Sequence, residues 1–357
     1  MNYNIKKLIF ISLFLTLILS SAIFVSRVFS YDSDVSHPML TENIAFIYNK
    51  NFDRKLANEE IAWLKWGSIQ EDAVPRWMRH FYDPNMNLGL FSYMNSKDWA
   101  QSPIDQATSL GGDHTWQKAI NSYVAGDKKT AFIALGHVLH LIEDVTVPAH
   151  TRLDPHPKGD PFETWVEINK QDKISFDVHP KDISSLSDVF YQLASYSNNY
   201  FLSMDTINTK SLLKLNKYEK EVAKNEFVEC FEGRDDSGNK FCLVLAEYPY
   251  YIDDPIVHTD YFNLLGPNAV AYGAGVVKLF FEEAEKKKQE EEAKSWWQKT
   301  KSFLNKIKGN VFGSVLGVLT DEANNDQIFP TEVGTPNTEN KEVGTPAAKN
   351  GETGIIN

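Results

Sequence analysis

The chain has 357 residues, a formal net charge of −12 and a hydrophobic fraction of 42%. A chain of this length can bury a substantial core, and one catalytic domain with appendages fits it better than two equal domains. The negative charge argues against a scaffold that grips nucleic-acid phosphates with a basic face, although it leaves open a nuclease whose metal ions meet the phosphate.

The first thirty residues have the pattern of an export signal. Lys6 and Lys7 precede an apolar run over residues 8–25, and small residues follow. Cleavage after Ser30 would leave Tyr31 as the new N-terminus. Cleavage after Ala22 and retention of the run as a membrane anchor are the alternatives. We therefore expect an exported protein, secreted or periplasmic, that is either free or associated with a membrane.

Helical patterns follow from residue 36 onward. Residues 36–66 contain two helix-like segments, and residues 81–103 are loop-like. Apolar positions recur at helical spacing from Thr115 to Val145 with a break at 125–127, where Asp127 is the expected N-cap of the next helix. Further helices are expected over 181–205 and from Tyr261 onward, and no series of alternating strands appears. The fold class is therefore all-α, a multi-helix bundle.

The segment Leu135–His150 carries the clearest chemical signal. His140 and Asp144 are four residues apart and share one face of a helix, which Pro148 ends before His150 follows on the exit loop. The flanking residues are apolar, so this face looks inward, where an imidazole beside a carboxylate is costly without a partner. A metal ion is one explanation, because both groups are zinc ligands, and a hydrogen-bonded structural pair is the other.

Other residues of ligand type lie near this motif in sequence. One helix rarely closes a zinc site, so ligands from distant segments are expected. The candidates are His37, Asp72, His80, His156 and Glu163.

Three neighbouring residues are expected to lie outside the ligand set. Glu143 precedes Asp144 but points about 100° away on the helix. Glu71, beside Asp72, is expected at the surface, and His137 is expected to pack near the site or to support a ligand.

Taken in order, SHPML, GSIQED, HFYDP, the segment ending DVTVPAH, and GDPFETW resemble the zinc-dependent phospholipase C family, which shares its fold with the S1/P1 nucleases. The resemblance runs from about residue 36 to residue 281. It implies a cluster of up to three zinc ions. The first zinc would be held by Asp72, His80, His140 and Asp144. Asp144 would bridge to a second zinc, which His37 and the mature N-terminus also bind.

His150, Glu163 and a further histidine would hold the third zinc. The family has that histidine four residues before the glutamate, where this chain has Gly159, and His156 is the nearest substitute. The family also begins its mature chain with tryptophan, and here no tryptophan precedes His37. These two departures concern the third zinc and the terminal ligand.

The resemblance implies a phospholipase C/P1 nuclease-like bundle that cleaves phospholipids at a membrane surface by a zinc-bound hydroxide. Asp72 would orient the attacking water or accept its proton. We expect a monomer without a stable nucleic-acid partner. A single-strand nuclease is the first alternative, and a non-catalytic, metal-stabilised envelope protein that binds membranes is the second.

Cys230 and Cys242 flank a turn centred on Asp-Ser-Gly-Asn. In an exported protein this spacing indicates a disulfide, with two unpaired cysteines as the alternative. A zinc site here is not expected, because the chain has no other thiol.

The expected organisation is a hydrolase domain over residues 31–285, with an irregular insertion at 206–258. A charged and then amphipathic helix follows at 286–319, and a disordered tail at 320–357. Apolar positions and lysines in the amphipathic part suit either a membrane surface or docking on the protein's own domain.

Overall fold

The computed structural model describes residues 35–73, 75–156, 159–169, 176–203, 216–234, 240–243 and 255–310. The expected export signal and the expected tail lie outside these residues. The chain divides into two compact units between Glu290 and Glu291.

The first unit is all-α apart from one small sheet, in agreement with the predicted fold class. Its α-helices up to the sheet are α1 (Ser36–Asn51), α2 (Asn58–Glu71), α3 (Ser96–Trp99), α4 (Pro103–Ala107), α5 (Trp116–Val124), α6 (Lys128–Asp144), α7 (Pro148–Thr151), α8 (Pro161–Asn169) and α9 (Leu186–Tyr200). Two short 3₁₀ turns cover Arg76–Arg79 and Leu90–Ser92. The last helix, α10 (Pro255–Asn310), begins in this unit and extends into the second.

Side-chain caps set the starts of several helices. The expected N-cap at Asp127 is confirmed, since its carboxylate accepts a hydrogen bond from the amide of Thr130 at 3.1 Å. Thr115 caps α5 and Ser185 caps α9 in the same way. Each cap satisfies an amide that the first helical turn leaves without a partner.

Helix α6 forms the centre of the core. From Leu135 to Asp144 every residue is buried, and the helix packs against α2 and α5. A helix that is apolar on most faces and still carries His140 and Asp144 must pair those polar groups internally. The ligand motif predicted from sequence therefore lies in a fully buried part of the first unit.

Within the described residues, α10 alone is long and apolar enough to cross a membrane by length and composition. The qualifying stretch is Pro255–Ser302, and 67% of its apolar window is buried inside the protein. Core residues such as Val270, Ala274 and Val277 are fully buried. Packing in the core accounts for the apolar character of this part of the helix.

The segment expected to be irregular contains a three-stranded antiparallel sheet instead. The strands are β1 (Lys217–Ala223), β2 (Glu226–Arg234) and β3 (Lys240–Leu243), in the order β1-β2-β3. Asn225 has a φ of 63° in the tight turn between β1 and β2, a conformation that asparagine tolerates. The sequence KYEKEVA of β1 has charged residues on both faces of the strand. It therefore lacks the alternation of apolar and polar residues by which a strand is recognised.

The predicted disulfide joins neighbouring strands of this sheet. Cys230 on β2 and Cys242 on β3 are bonded and fully buried, with their Cα atoms 5.0 Å apart. The backbone amide of Cys242 also donates to Asp260 on α10 at 2.9 Å. The sheet is thus fixed to the start of the last helix.

Two smaller expectations differ from the structure. Residues 81–103, expected to be a loop, contain the 3₁₀ turn at Leu90–Ser92 and helix α3. His150, expected on a loop, lies on the one-turn helix α7, because Pro148 occupies the first helical position, where its missing amide proton costs nothing.

Candidate metal centre

Two glycines let α2 and α6 cross closely enough to bring ligands from different helices together. A Cβ atom at Gly67 would collide with a carbonyl of α6, and one at Gly136 with a carbonyl of α2. Asp72 is the C-cap of α2, and His140 lies one turn beyond Gly136. As a result, Nε2 of His140 lies 3.6 Å from Oδ1 of Asp72.

Oδ2 of Asp144 is the centre of the first ligand group. It lies 3.0 Å from Nδ1 of His80 and 3.1 Å from Nε2 of His140, and these two ring nitrogens are 3.3 Å apart. A tetrahedral ion with ligand bonds of about 2.0–2.2 Å holds its ligand atoms roughly 3.3–3.5 Å apart. The three atoms therefore stand close to the spacing that such an ion requires.

His37 adds a ligand from α1 on the other side of His140. The two imidazole rings are stacked with centroids 3.7 Å apart, and Nε2 of His37 lies 3.5 Å from Oδ1 of Asp144. Ligand atoms of His37, Asp72 and His140 all lie within 4.8 Å of one another. His37 is thus within reach of an ion that Asp72 or Asp144 also contacts.

A third group forms on α7, the segment after it, and the first turn of α8. Glu163 lies 3.3 Å from Nε2 of His150 through one oxygen and 3.4 Å from Nε2 of His156 through the other. Gly159 occupies the position at which the resembling family has a histidine, and its φ of 92° is in the region that favours glycine. Nδ1 of His150 also lies 3.6 Å from Asp144, which joins this group to the first.

The three groups together contain all eight ligand candidates named from the sequence. The side chains come from five helices and two connecting segments, so no local stretch of sequence contains the site. The relative exposure of these side chains is at most 8%, the value at Asp72.

Hydrogen bonds from the protein orient three of the imidazoles. Nδ1 of His140 lies 2.8 Å from the carbonyl oxygen of Ser68, and Nδ1 of His156 lies 2.8 Å from that of Asp154. A carbonyl only accepts, so Nδ1 carries the proton in both rings and Nε2 presents its lone pair to the cluster. Such partners fix the tautomer and the ring orientation of metal-binding histidines.

The third oriented imidazole is that of His37, and its partner is Glu143. Nδ1 of His37 donates to one oxygen of Glu143 at 2.6 Å, and Thr41 donates to the other oxygen at 2.8 Å. Glu143 faces α1 rather than the cluster, as the helical angle predicted. It nevertheless belongs to the site, because it aims Nε2 of His37 inward.

Both carboxylate oxygens of Asp72 are buried without a hydrogen-bond partner within the described part of the chain. An unsatisfied buried polar group costs about 1–3 kcal/mol, and more when it is charged. A cation bound among these atoms would remove that cost, so the donor set fits a metal ion.

The pKa values show how strongly the cluster attracts positive charge. Burial opposes ionisation of Asp144, but the imidazoles of His140 and His80 outweigh it and hold the pKa of Asp144 well below its usual range. Burial likewise lowers the pKa of His140, but Asp144 and Asp72 outweigh it and raise that pKa to about 10. Burial raises the pKa of Asp72 to about 7. The carboxylates of the cluster thus favour positive charge at this position, which a bound metal cation would supply.

The expectation that Glu71 lies at the surface is wrong. Its side chain is fully buried and accepts hydrogen bonds from Arg76, Trp99 and His137. His137, which was expected to pack near the site or to support a ligand, is buried and contacts Glu71. A charged residue in GSIQED gives no local sign of burial, because its partners are up to 66 residues away.

No protein-family model matches the chain, and no curated protein matches it. Among solved structures, the chain is similar to the alpha toxin from Clostridium absonum, with a TM-score of 0.44 and 12% identity. It is also similar to the alpha-toxin of Clostridium perfringens from avian strain SWCP, with a TM-score of 0.41 and 15% identity. Each alignment covers 71% of this chain, and 66% and 65% of the respective toxin, so the chain spans just under two thirds of their length.

Proposed function

We propose that the chain is a zinc-dependent phosphodiester hydrolase of the phospholipase C type, with its catalytic domain in residues 31–285. The observation that carries this proposal is the enclosed cluster of five histidines and three carboxylates, arranged as three neighbouring ligand groups, two of which share His140. A structural hydrogen-bonded pair would need far fewer groups. The motif order along the chain supports the same assignment.

Zinc suits this cluster better than a hard cation does. Imidazole nitrogen supplies most of the ligand atoms, and imidazole with carboxylate is a frequent zinc set, whereas magnesium and calcium prefer oxygen alone. We assign Asp72, His80, His140 and Asp144 to one zinc, and His37 with Asp144 to a second. We assign a third to His150, His156 and Glu163.

Bound zinc would supply Lewis acidity toward the phosphoryl oxygens and activation of water near neutral pH. The residues of the chain would do the remaining work. Asp72 has the most exposed side chain of the first two groups, 8% against 0% for the other members. It is therefore placed to orient an attacking water and to accept its proton.

In the proposed reaction the water oxygen forms a bond to phosphorus, and the bond from phosphorus to the alcohol oxygen breaks. The water proton passes to Asp72, which later releases it to solvent, and the leaving alkoxide takes up one proton from solvent, so the protons balance. For a phospholipid the products are a diacylglycerol and a phosphorylated headgroup. Glu143 and Ser68 do not touch the reacting atoms, but they hold His37 and His140 in the orientation that the site requires.

Phospholipid is favoured over nucleic acid as the substrate. The net charge of −12 is unfavourable for a long polyanion, which proteins usually hold with basic side chains. A nuclease would also need a platform for stacked bases. A lipid phosphodiester instead requires access for a single phosphate at a membrane surface.

Substrate comparison on the purified chain tests this function. We expect zinc-dependent hydrolysis of a chromogenic phosphocholine ester and of phosphatidylcholine vesicles, with little or no hydrolysis of single-stranded DNA. Faster hydrolysis of DNA than of either choline substrate would favour the nuclease. Bound zinc with no hydrolysis of any of them would favour a non-catalytic envelope protein.

The second unit offers a means of membrane contact. In its helical part Trp296, Trp297 and Leu304 are exposed by 65%, 46% and 44%, and lysines lie between them in sequence. Exposed tryptophan with lysine suits the interface of an anionic membrane. Deleting residues 294–357 should abolish binding to anionic vesicles and leave hydrolysis of the soluble ester unchanged. A destabilised catalytic domain with unchanged vesicle binding would show that the helix docks on the protein instead.

A further inference from the structure

Glu71 is the centre of a buried polar network outside the ligand groups. One of its oxygens accepts from the indole Nε1 of Trp99 at 2.9 Å. The other accepts from Nε of Arg76 at 2.7 Å and from Nδ1 of His137 at 2.5 Å. Glu71 therefore contacts three separate elements: the 3₁₀ turn at Arg76–Arg79, α3 and α6.

Arg76 extends this network to the segment before α5. Its guanidinium donates to Gln106 at 3.0 Å and to the carbonyl of Gly112 at 3.1 Å, and it lies over the ring of Trp99 at 5.0 Å. Arg76 is 2% exposed and Gln106 is 1% exposed. A buried guanidinium is costly unless its donors are paired, and the contacts to Glu71, Gln106 and Gly112 pair those of Arg76.

Three residues of the network lie close in sequence to ligand candidates of the metal centre. Glu71 directly precedes Asp72, Arg76 lies in the 3₁₀ turn that leads to His80, and His137 lies one helical turn before His140. No atom of the network belongs to the three ligand groups. Its contacts instead tie together the backbone segments that carry three of those ligands.

We propose that Glu71 is a positioning residue for the metal centre, which holds Asp72, His80 and His140 at ligand spacing through its bonds to Arg76 and His137. The inference rests on the proposed function. Its physical basis is that a metal site binds its ion more tightly when the ligands already stand in the required positions before the ion arrives. Without the Glu71 carboxylate, α2, α6 and the 3₁₀ turn would remain packed. The positions of Asp72, His80 and His140 relative to one another would be less firmly fixed.

The chain provides a matched control on the same helix. Glu60 is also buried, at 5% exposure, and also pairs with an arginine, since Nη2 of Arg54 lies 3.2 Å from its carboxylate. It lies at the opposite end of α2 from Asp72. Glu60→Gln and Glu71→Gln therefore each remove one buried charge from one helix, and only the second change is beside the ligands.

The experiment measures zinc affinity by chelator competition, the visible spectrum of the cobalt-substituted protein, and the unfolding temperature. We expect Glu71→Gln to weaken zinc binding by about 10-fold, the lower end of the range for a residue bonded directly to a ligand, because Glu71 acts on the ligands through their neighbours. The cobalt spectrum should change as well. Glu60→Gln should lower the unfolding temperature while leaving zinc affinity and the cobalt spectrum at the wild-type values. Equal zinc affinity in the two variants would overturn the proposal.

A milder variant keeps the test decisive if Glu71→Gln does not fold. Trp99→Phe removes one donor to Glu71 and keeps a ring beneath the Arg76 guanidinium, so zinc affinity should fall by less than in Glu71→Gln but measurably. Unchanged affinity and an unchanged cobalt spectrum would contradict the role of the network. If the wild-type chain itself bound no zinc, the proposed function would fail, whereas zinc binding that is insensitive to both variants would remove this inference alone.

Discussion

The two halves of the metal centre are built differently. In the first half, His37, Asp72, His140 and Asp144 lie on or at the ends of the long helices α1, α2 and α6, and α2 and α6 cross closely. His80 completes this half and follows the 3₁₀ turn at Arg76–Arg79. His150, His156 and Glu163 lie on a one-turn helix, on a connecting segment and in the first turn of α8. Long packed helices hold side chains without help from a ligand, whereas short elements gain much of their order from what they bind.

This difference has a direct consequence for metal binding. In the first half, His140 and His37 donate orienting hydrogen bonds to Ser68 and Glu143, and α2 and α6 cross closely behind the ligands. In the second half, His156 donates its orienting hydrogen bond to Asp154, only two residues away in the same segment. We therefore expect the first half to bind zinc more tightly, and the following predictions test that difference.

The largest effect is expected for His140→Ala. His140 is the residue shared by two of the three ligand groups, so its loss should remove at least one zinc and abolish phosphodiesterase activity. His179→Ala is the matched control, because His179 is an exposed histidine near Asn51 and should change neither quantity. Zinc content and turnover of the two variants, measured side by side, check the prediction, and full activity in His140→Ala would contradict it.

Changes in the second half, formed by His150, His156 and Glu163, should be smaller and confined to one ion. Glu163→Ala should release one zinc and reduce turnover, because Glu163 contacts both histidines of its group. His156→Ala should do the same to a lesser extent while leaving the other ions bound. If His156→Ala retained all zinc and full turnover while Glu163→Ala did not, the substitution of His156 for the family histidine would be wrong.

Graded chelation should separate the two halves without mutation. As chelator rises, one zinc should leave before the rest, and the protein should keep most of its unfolding temperature at that stage. Removal of the remaining ions should then lower the unfolding temperature strongly, because uncompensated buried carboxylates and imidazoles remain. Release of all ions in one step would show that the halves are not distinct.

The smallest effect on the centre is expected from the disulfide. The double change of Cys230 and Cys242 to serine removes a short loop closure, worth at most about 3 kcal/mol. The bond lies in the small sheet, so stability should fall while zinc content and turnover of the soluble ester stay the same. Loss of zinc in this variant would mean that the sheet supports the metal centre.

The features that could be predicted from the sequence are those that depend on residues close together in the chain. Helical spacing placed His140 and Asp144 on one face, and Asp127 was identified as a cap, because both depend on residues within one or two turns. The disulfide was also predicted, since two cysteines in an exported chain allow only one intramolecular pair.

Contacts between residues that are far apart in the chain could not be predicted from the sequence. The burial of Glu71 was missed because partners such as His137 lie on other elements of the fold. In the same way, no residue near Glu143 in sequence indicates that Glu143 orients His37. The sheet was missed because β1 carries charged residues on both faces and so shows no alternation of apolar and polar residues. The close crossing at Gly67 and Gly136, which brings the ligands together, follows only from the packed helices.

Metal analysis of the purified full chain is the most direct test of the proposed zinc cluster. After dialysis to remove loosely bound ions, we expect two to three tightly bound zinc ions per folded chain, in keeping with three ligand groups. We expect a lower zinc content in His140→Ala but not in His179→Ala. A folded wild-type chain that retained no zinc after exposure to the metal, or a zinc content unaffected by His140→Ala, would contradict the zinc assignment.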